Sequence, residues 1–91
     1  MIHPIITLPD NTEITASRIQ NDGNYHIYIE AWDSKLDAFK HIDFLFPEGK
    51  ILSAYGYDSS EISKYRTKLT NIEEDIFGFI EEKDGVGVRY A

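Results

Sequence analysis

The sequence predicts an α+β domain, a β-meander of four to six antiparallel strands followed by one long C-terminal amphipathic helix packed on one face of the sheet. Two patterns carry this. Short β-prone runs recur through the first two-thirds of the chain between turn-forming clusters, and the last third changes to apolar residues at alternating spacings of three and four. At 91 residues the chain is one domain, 1–91, with one core.

The turns come first. Pro9-Asp10-Asn11-Thr12, Asn21-Asp22-Gly23-Asn24 and Pro47-Glu48-Gly49 each supply residues that accept tight-turn backbone angles, so each closes a hairpin. They place strands at about 3–8, 13–20, 25–32, 39–46 and 50–57. The connection from Asp33 to Ala38 lacks Gly and Pro and reads as a wider corner or a single helical turn.

Side chains of a strand alternate between the two faces of its sheet. Tyr25, Ile27, Ile29 and Ala31 therefore form one apolar row, and Ile42, Phe44 and Phe46 form another. A six-residue connection sets Ile29 opposite Ile42 and Ile27 opposite Phe44. The flanking turns then pair Ile29 with Ala16, Ala31 with Ile14, Phe44 with Leu52 and Ile42 with Ala54. The inner face so defined comprises Ile14, Ala16, Ile27, Ile29, Ile42, Phe44, Leu52 and Ala54. The outer face carries His26, Tyr28, Glu30 and Trp32 beside Phe39, His41, Asp43 and Leu45, with Ile51, Tyr55 and Tyr57 beyond.

Asp58 with Glu61 three residues later marks a capping-box helix start. Ile62, Tyr65, Leu69, Ile72, Ile76, Phe79 and Lys83 then stay in phase, which predicts one helix over 59–83 ending at Gly85. Asn71 followed by Glu74 offers a competing cap that would split it. Residues 86–90 either return as a short edge strand or trail. A helix of that length would measure roughly 37 Å at about 1.5 Å per residue and overhang strands of about 26 Å. Its second half would then expose Ile72, Ile76, Phe79 and Ile80, a surface that a second copy of the chain would cover in a homodimer.

Composition narrows the functional classes. Nine Lys+Arg against sixteen Asp+Glu give a net charge of −7, unfavourable for nucleic acid or an anionic membrane. No cysteine is present, no apolar run reaches membrane-spanning length and the N-terminus lacks a signal-peptide pattern, so the cytoplasm is the expected compartment. His3, His26 and His41 are scattered, which predicts no metal site and no cofactor. His41 opposite Glu30 is the best acid–base pairing the strands offer. With no nucleophile elbow or phosphate loop beside it, the expectation is no enzyme and no catalytic residues.

What remains is binding. Aromatic residues with polar tips make anchors, and carboxylates make an electrostatic rim. The expected partner-binding residues are Tyr28, Trp32, Tyr55 and Tyr57 on the sheet, with Glu74, Asp75, Glu81 and Glu82 on the exposed side of the helix around Gly78. The expectation is a small acidic interaction module, an inhibitor or an immunity-type or phage-type antagonist of a larger basic protein. The alternatives are a structural homodimer subunit and, less favoured, a small enzyme using His41 and Glu30.

Overall fold

The computed structural model describes residues 2–83, with side chains from residue 3 onward. The expected helix stop at Gly85 and the strand at 86–90 lie outside the described residues. Five strands, β1 (Ile2–Thr7), β2 (Glu13–Ser17), β3 (Tyr25–Asp33), β4 (Ala38–Phe46) and β5 (Lys50–Tyr55), form one sheet in chain order. Every neighbouring pair is antiparallel, as a meander requires.

The turns form where their residues permit them. Asn11, Gly23 and Gly49 take the positive φ values of +69°, +85° and +74° that the first, second and fourth hairpins need. In the third, Asp33 accepts hydrogen bonds from the Lys35 and Leu36 amides and Asp37 takes φ +52°, so side-chain chemistry replaces the missing Gly and Pro.

The β3–β4 register is as expected, with Ile27 opposite Phe44 and Ile29 opposite Ile42. Two other registers differ. Ile14 pairs with Ile29 and Ala16 with Ile27, because β2 ends at Ser17 and leaves a longer connection to β3. The slip is two residues, so the buried face is kept. Between β4 and β5, Ile42 does pair with Ala54, but a bulge after Asp43 sets Phe44 opposite Ile51 instead of Leu52. Ile51 consequently packs on the core and Leu52 is 43% exposed, the reverse of the expected assignment.

The helix is two pieces rather than one over 59–83: α1 (Ser59–Asn71) and α2 (Glu73–Lys83). Asp58 and Glu61 form the full capping box at the start. Near the end of α1 the Thr70 hydroxyl donates back to the Arg66 carbonyl at 2.7 Å, a bond that bends helices. Ile72 follows at φ −114°, ψ 14°, with its amide on the Leu69 carbonyl, and its own carbonyl accepts the first bond of α2 from Ile76.

The interruption changes what is buried. After it, α2 lies against β1, Ile76 and Ile80 enter the core at 3% and 0% exposure, and Phe77 meets Tyr25 edge-on at 5.9 Å. The Tyr25 hydroxyl donates to Glu73, locking the first turn of α2 to the start of β3. Burial and that carboxylate push the Tyr25 phenol far up. The expected overhang is therefore corrected: the sheet itself covers the second half of the helix. Ile76 and Ile80 are not available to a homodimer interface, and of the residues assigned to one only Ile72 stands open, at 45%.

Candidate partner-binding face

With both helices on the inner face, no described element covers the outer side of the central strands. Trp32, Phe39 and Tyr55 are 54%, 56% and 50% exposed, the first two on strands that carry fully buried residues on their other face. Leaving aromatic area of that size in water forgoes stabilisation that a partner could recover.

The β3–β4 register builds the face pair by pair. Trp32 stands opposite Phe39 and meets it edge-to-face at 5.3 Å. Glu30 is opposite His41, and Tyr28 is opposite Asp43. Tyr55, opposite His41 across the other edge of β4, stacks on its ring at 6.4 Å. The His26 Nδ1–H donates to the Asp43 carboxylate at 2.8 Å, and the His26 ring lies on Tyr28 at 5.5 Å. Partial burial, then the Asp43 charge, raises the Tyr28 phenol pKa, so Tyr28 presents a neutral hydroxyl.

This surface is hollowed in two places. A depression of about 440 Å³ runs over β2 to β5, floored by Thr15, Tyr28, Glu30, His41, Asp43 and Ser53. A second hollow of about 380 Å³ opens at the β1–β2 turn between Asp10, Asn11, Glu13, Glu30, Trp32 and Phe39. Glu13 and Glu30 border both. The Thr12 amide on Asp10 at 3.0 Å holds the Asp10 carboxyl below the usual carboxylate range, so that group is charged at neutral pH.

Three of the expected anchors, Tyr28, Trp32 and Tyr55, share this face. Tyr57 does not. Gly56 takes φ +84° and ends the alternation of β5, and Tyr57 turns to the helical side. There it packs edge-on against Tyr65 at 5.8 Å with the Lys40 ammonium 4.4 Å above its ring.

The expected acidic rim is also displaced. Glu74, Asp75 and Glu82 are exposed and Glu81 is half-buried, but all four ride on α2, on the other side of the sheet from Tyr28 and Trp32. A Cβ at Gly78 would meet nothing within 4 Å, so no close approach is built there. The carboxylates that do border the aromatic face are Asp10, Glu13, Glu30 and Asp43. Glu30 and Asp43 were legible from the alternation. Asp10 and Glu13 were not, because their approach depends on the β2–β3 register and the fold of the first turn.

For acid–base chemistry on this face, His26 is bonded to the Asp43 carboxylate, a diagonal pair, whereas His41 is not bonded to Glu30. The polar neighbour of His41 is the Ser53 hydroxyl at 3.5 Å, longer than the reach a general base uses. Among the described residues no group of three or more His, Cys, Asp or Glu side chains is arranged to hold a metal ion, and no helix is long and apolar enough to cross a membrane. No protein-family profile, curated protein or solved structure matches the chain.

Proposed function

We propose that this protein is an interaction module whose outer sheet face docks a larger protein with a basic surface, acting as an inhibitor or an immunity-type or phage-type antagonist. The observation that supports the reading is the exposed aromatic set of Trp32, Phe39 and Tyr55 on a concave, carboxylate-bordered sheet. Exposed aromatics rimmed by charge are the composition of a binding hot spot. The net charge of −7 favours a cationic partner and speeds its approach.

The homodimer reading is less well supported. Of its expected contacts, Ile72, Ile76, Phe79 and Ile80, two, Ile76 and Ile80, are buried inside the chain. Stacking two copies through the outer face would set Glu13 and Glu30 of one against acidic groups of the other. An enzymatic role for His41 and Glu30 has no added support, since the two share a face without a hydrogen bond between them.

The test is affinity capture with the wild type beside a Tyr28→Ala/Trp32→Ala variant of equal helicity and thermal stability, with the captured protein identified and the free protein sedimented. Docking through the face predicts a monomer and one basic-surfaced partner retained by the wild type and lost by the variant. Equal capture by both, or a tight dimer whose Trp32 emission is that of a buried indole, would remove the proposal.

A further inference from the structure

The docking surface contains a conflict that its own fold does not resolve. Glu13 and Glu30 are directly opposite each other in the β2–β3 ladder and both point to the outer face. Cross-strand partners stand about 4.5–5.5 Å apart at Cβ, and like charges there are destabilising. Among the described residues neither carboxylate makes a hydrogen bond or an ion pair. Lys40, adjacent to Phe39 in the chain, lies over the Tyr57 ring and 3.9 Å from Asp33, and its charge also acts on Asp10, but it makes no ion pair with Glu13 or Glu30.

Resting on the docking reading above, we propose that the hollow bounded by Asp10, Glu13, Glu30, Trp32 and Phe39 is the seat of an arginine side chain presented by the partner protein. The chemistry is specific. A guanidinium is flat, permanently charged and weakly hydrated, so it can lie on an exposed indole while its N–H groups reach two carboxylates at once. Trp32, held by the edge of Phe39, supplies the ring, and Glu13 with Glu30 supplies the acceptors. Asp10 and Asn11 line the side nearest the turn. Lysine could neutralise the same charge, but its compact ammonium cannot bridge both carboxylates and cover the ring together. Seating a cation between Glu13 and Glu30 would relieve the like-charge repulsion of this cross-strand pair.

Trp32 is the only tryptophan, so its fluorescence reads this hollow alone. The probes are acetyl-Gly-Arg-Gly-amide and acetyl-Gly-Lys-Gly-amide, titrated in the millimolar range into the wild type, Glu13→Gln/Glu30→Gln, and an equal-charge control, Glu74→Gln/Glu82→Gln. The expected result is a saturable emission shift with the arginine peptide in the wild type and the control. Affinity should fall by about tenfold or more in Glu13→Gln/Glu30→Gln, the loss of a charge-assisted pair. The lysine peptide should bind several-fold more weakly. Glu13→Gln/Glu30→Gln should also melt higher than the wild type, since it loses the repulsion and no partner.

No emission shift, equal weakening in both double variants, equal affinity for the two peptides, or a lower melting temperature for Glu13→Gln/Glu30→Gln would each overturn the arginine seat. The capture experiment separates this from the docking reading. A partner lost by Tyr28→Ala/Trp32→Ala but retained by Glu13→Gln/Glu30→Gln leaves the docking face standing without the seat, whereas one retained by both removes the face itself.

Discussion

The two faces of the sheet are made by alternate residues of the same strands and have opposite fates. Along β3, Tyr25, Ile27 and Ile29 are fully buried, while His26 and Tyr28 between them are half-buried and Glu30 and Trp32 beyond them are exposed. Along β4, Ile42, Phe44 and Phe46 are fully buried and Phe39 is 56% exposed. The inner face is aliphatic with Phe, filled by Leu69, Ile76 and Ile80 from the helices. The outer face is aromatic with carboxylates and imidazoles, and its largest rings are bare. The difference teaches that the apolar content of this chain serves two purposes: one row stabilises the fold, and the other is held in water by that fold.

Breaking the inner face should have the largest effect. Phe44→Ala is expected to lower unfolding free energy by about 3–5 kcal/mol, through lost transfer energy and the cavity left behind. Trp32→Ala on the outer face removes a larger side chain but should change it by only about 1–1.5 kcal/mol, mostly the edge contact with Phe39. Urea denaturation of the two variants measures the contrast directly, and comparable losses would mean that the outer face is covered.

Next in size is the point where the chain leaves the sheet. At Gly56 a Cβ would come 2.5 Å from the Lys40 Cβ and 2.9 Å from Leu36 Cδ1, at a φ of +84°. Gly56→Ala should therefore cost more than about 1 kcal/mol. Gly78→Ala, in the open on α2, should instead stabilise by about 0.5–1 kcal/mol through helix propensity. Thermal melts of the pair would sharpen the distinction between a required and a replaceable glycine.

Tyr57 belongs to the helical side and gives an effect of about 1 kcal/mol. Its buried hydroxyl finds no hydrogen-bond partner among the described residues, so Tyr57→Phe should raise stability by about that amount. Burial, reinforced by Tyr65 and nearby carboxylates, pushes its phenol from 10.0 up to about 12. The folded state thus holds the proton more tightly than the unfolded one. Stability linked to it is intact below pH 10 and is lost as pH rises through 10 to 12. Tyr57→Phe should flatten that alkaline limb in denaturation measured at successive pH values.

The smallest stability effect belongs to Ile72. It is 45% exposed at the helix break, and Ile72→Ser should change stability by no more than about 1 kcal/mol while leaving the sedimentation coefficient unaltered. A shift to slower sedimentation would revive self-association through the helices.

Much of this was legible residue by residue. The hairpin turns at Asp10-Asn11, Asp22-Gly23 and Glu48-Gly49, the β3–β4 register and the Asp58–Glu61 cap all follow from local chemistry: allowed φ, a period of two, and one side chain reaching one amide. The same locality identified Tyr28, Trp32 and Tyr55 as neighbours on one face. Tyr57 was misplaced because alternation carries through Gly56 on paper and not in the chain.

By itself, then, the amino-acid sequence determined an α+β meander, its inner and outer rows, and the aromatic character of the outer one. Those properties depend on residues a few positions apart. Tertiary structure decided the bulge at Asp43, the break at Ile72, the turn of Tyr57 to the helical side and the meeting of Asp10 and Glu13 with Glu30 and Trp32. Each depends on burying a second layer against a sheet of finite length. Ile76 and Ile80, beyond the interruption at Ile72, end at 3% and 0% exposure, and the apolar burial of both outweighs one interrupted turn.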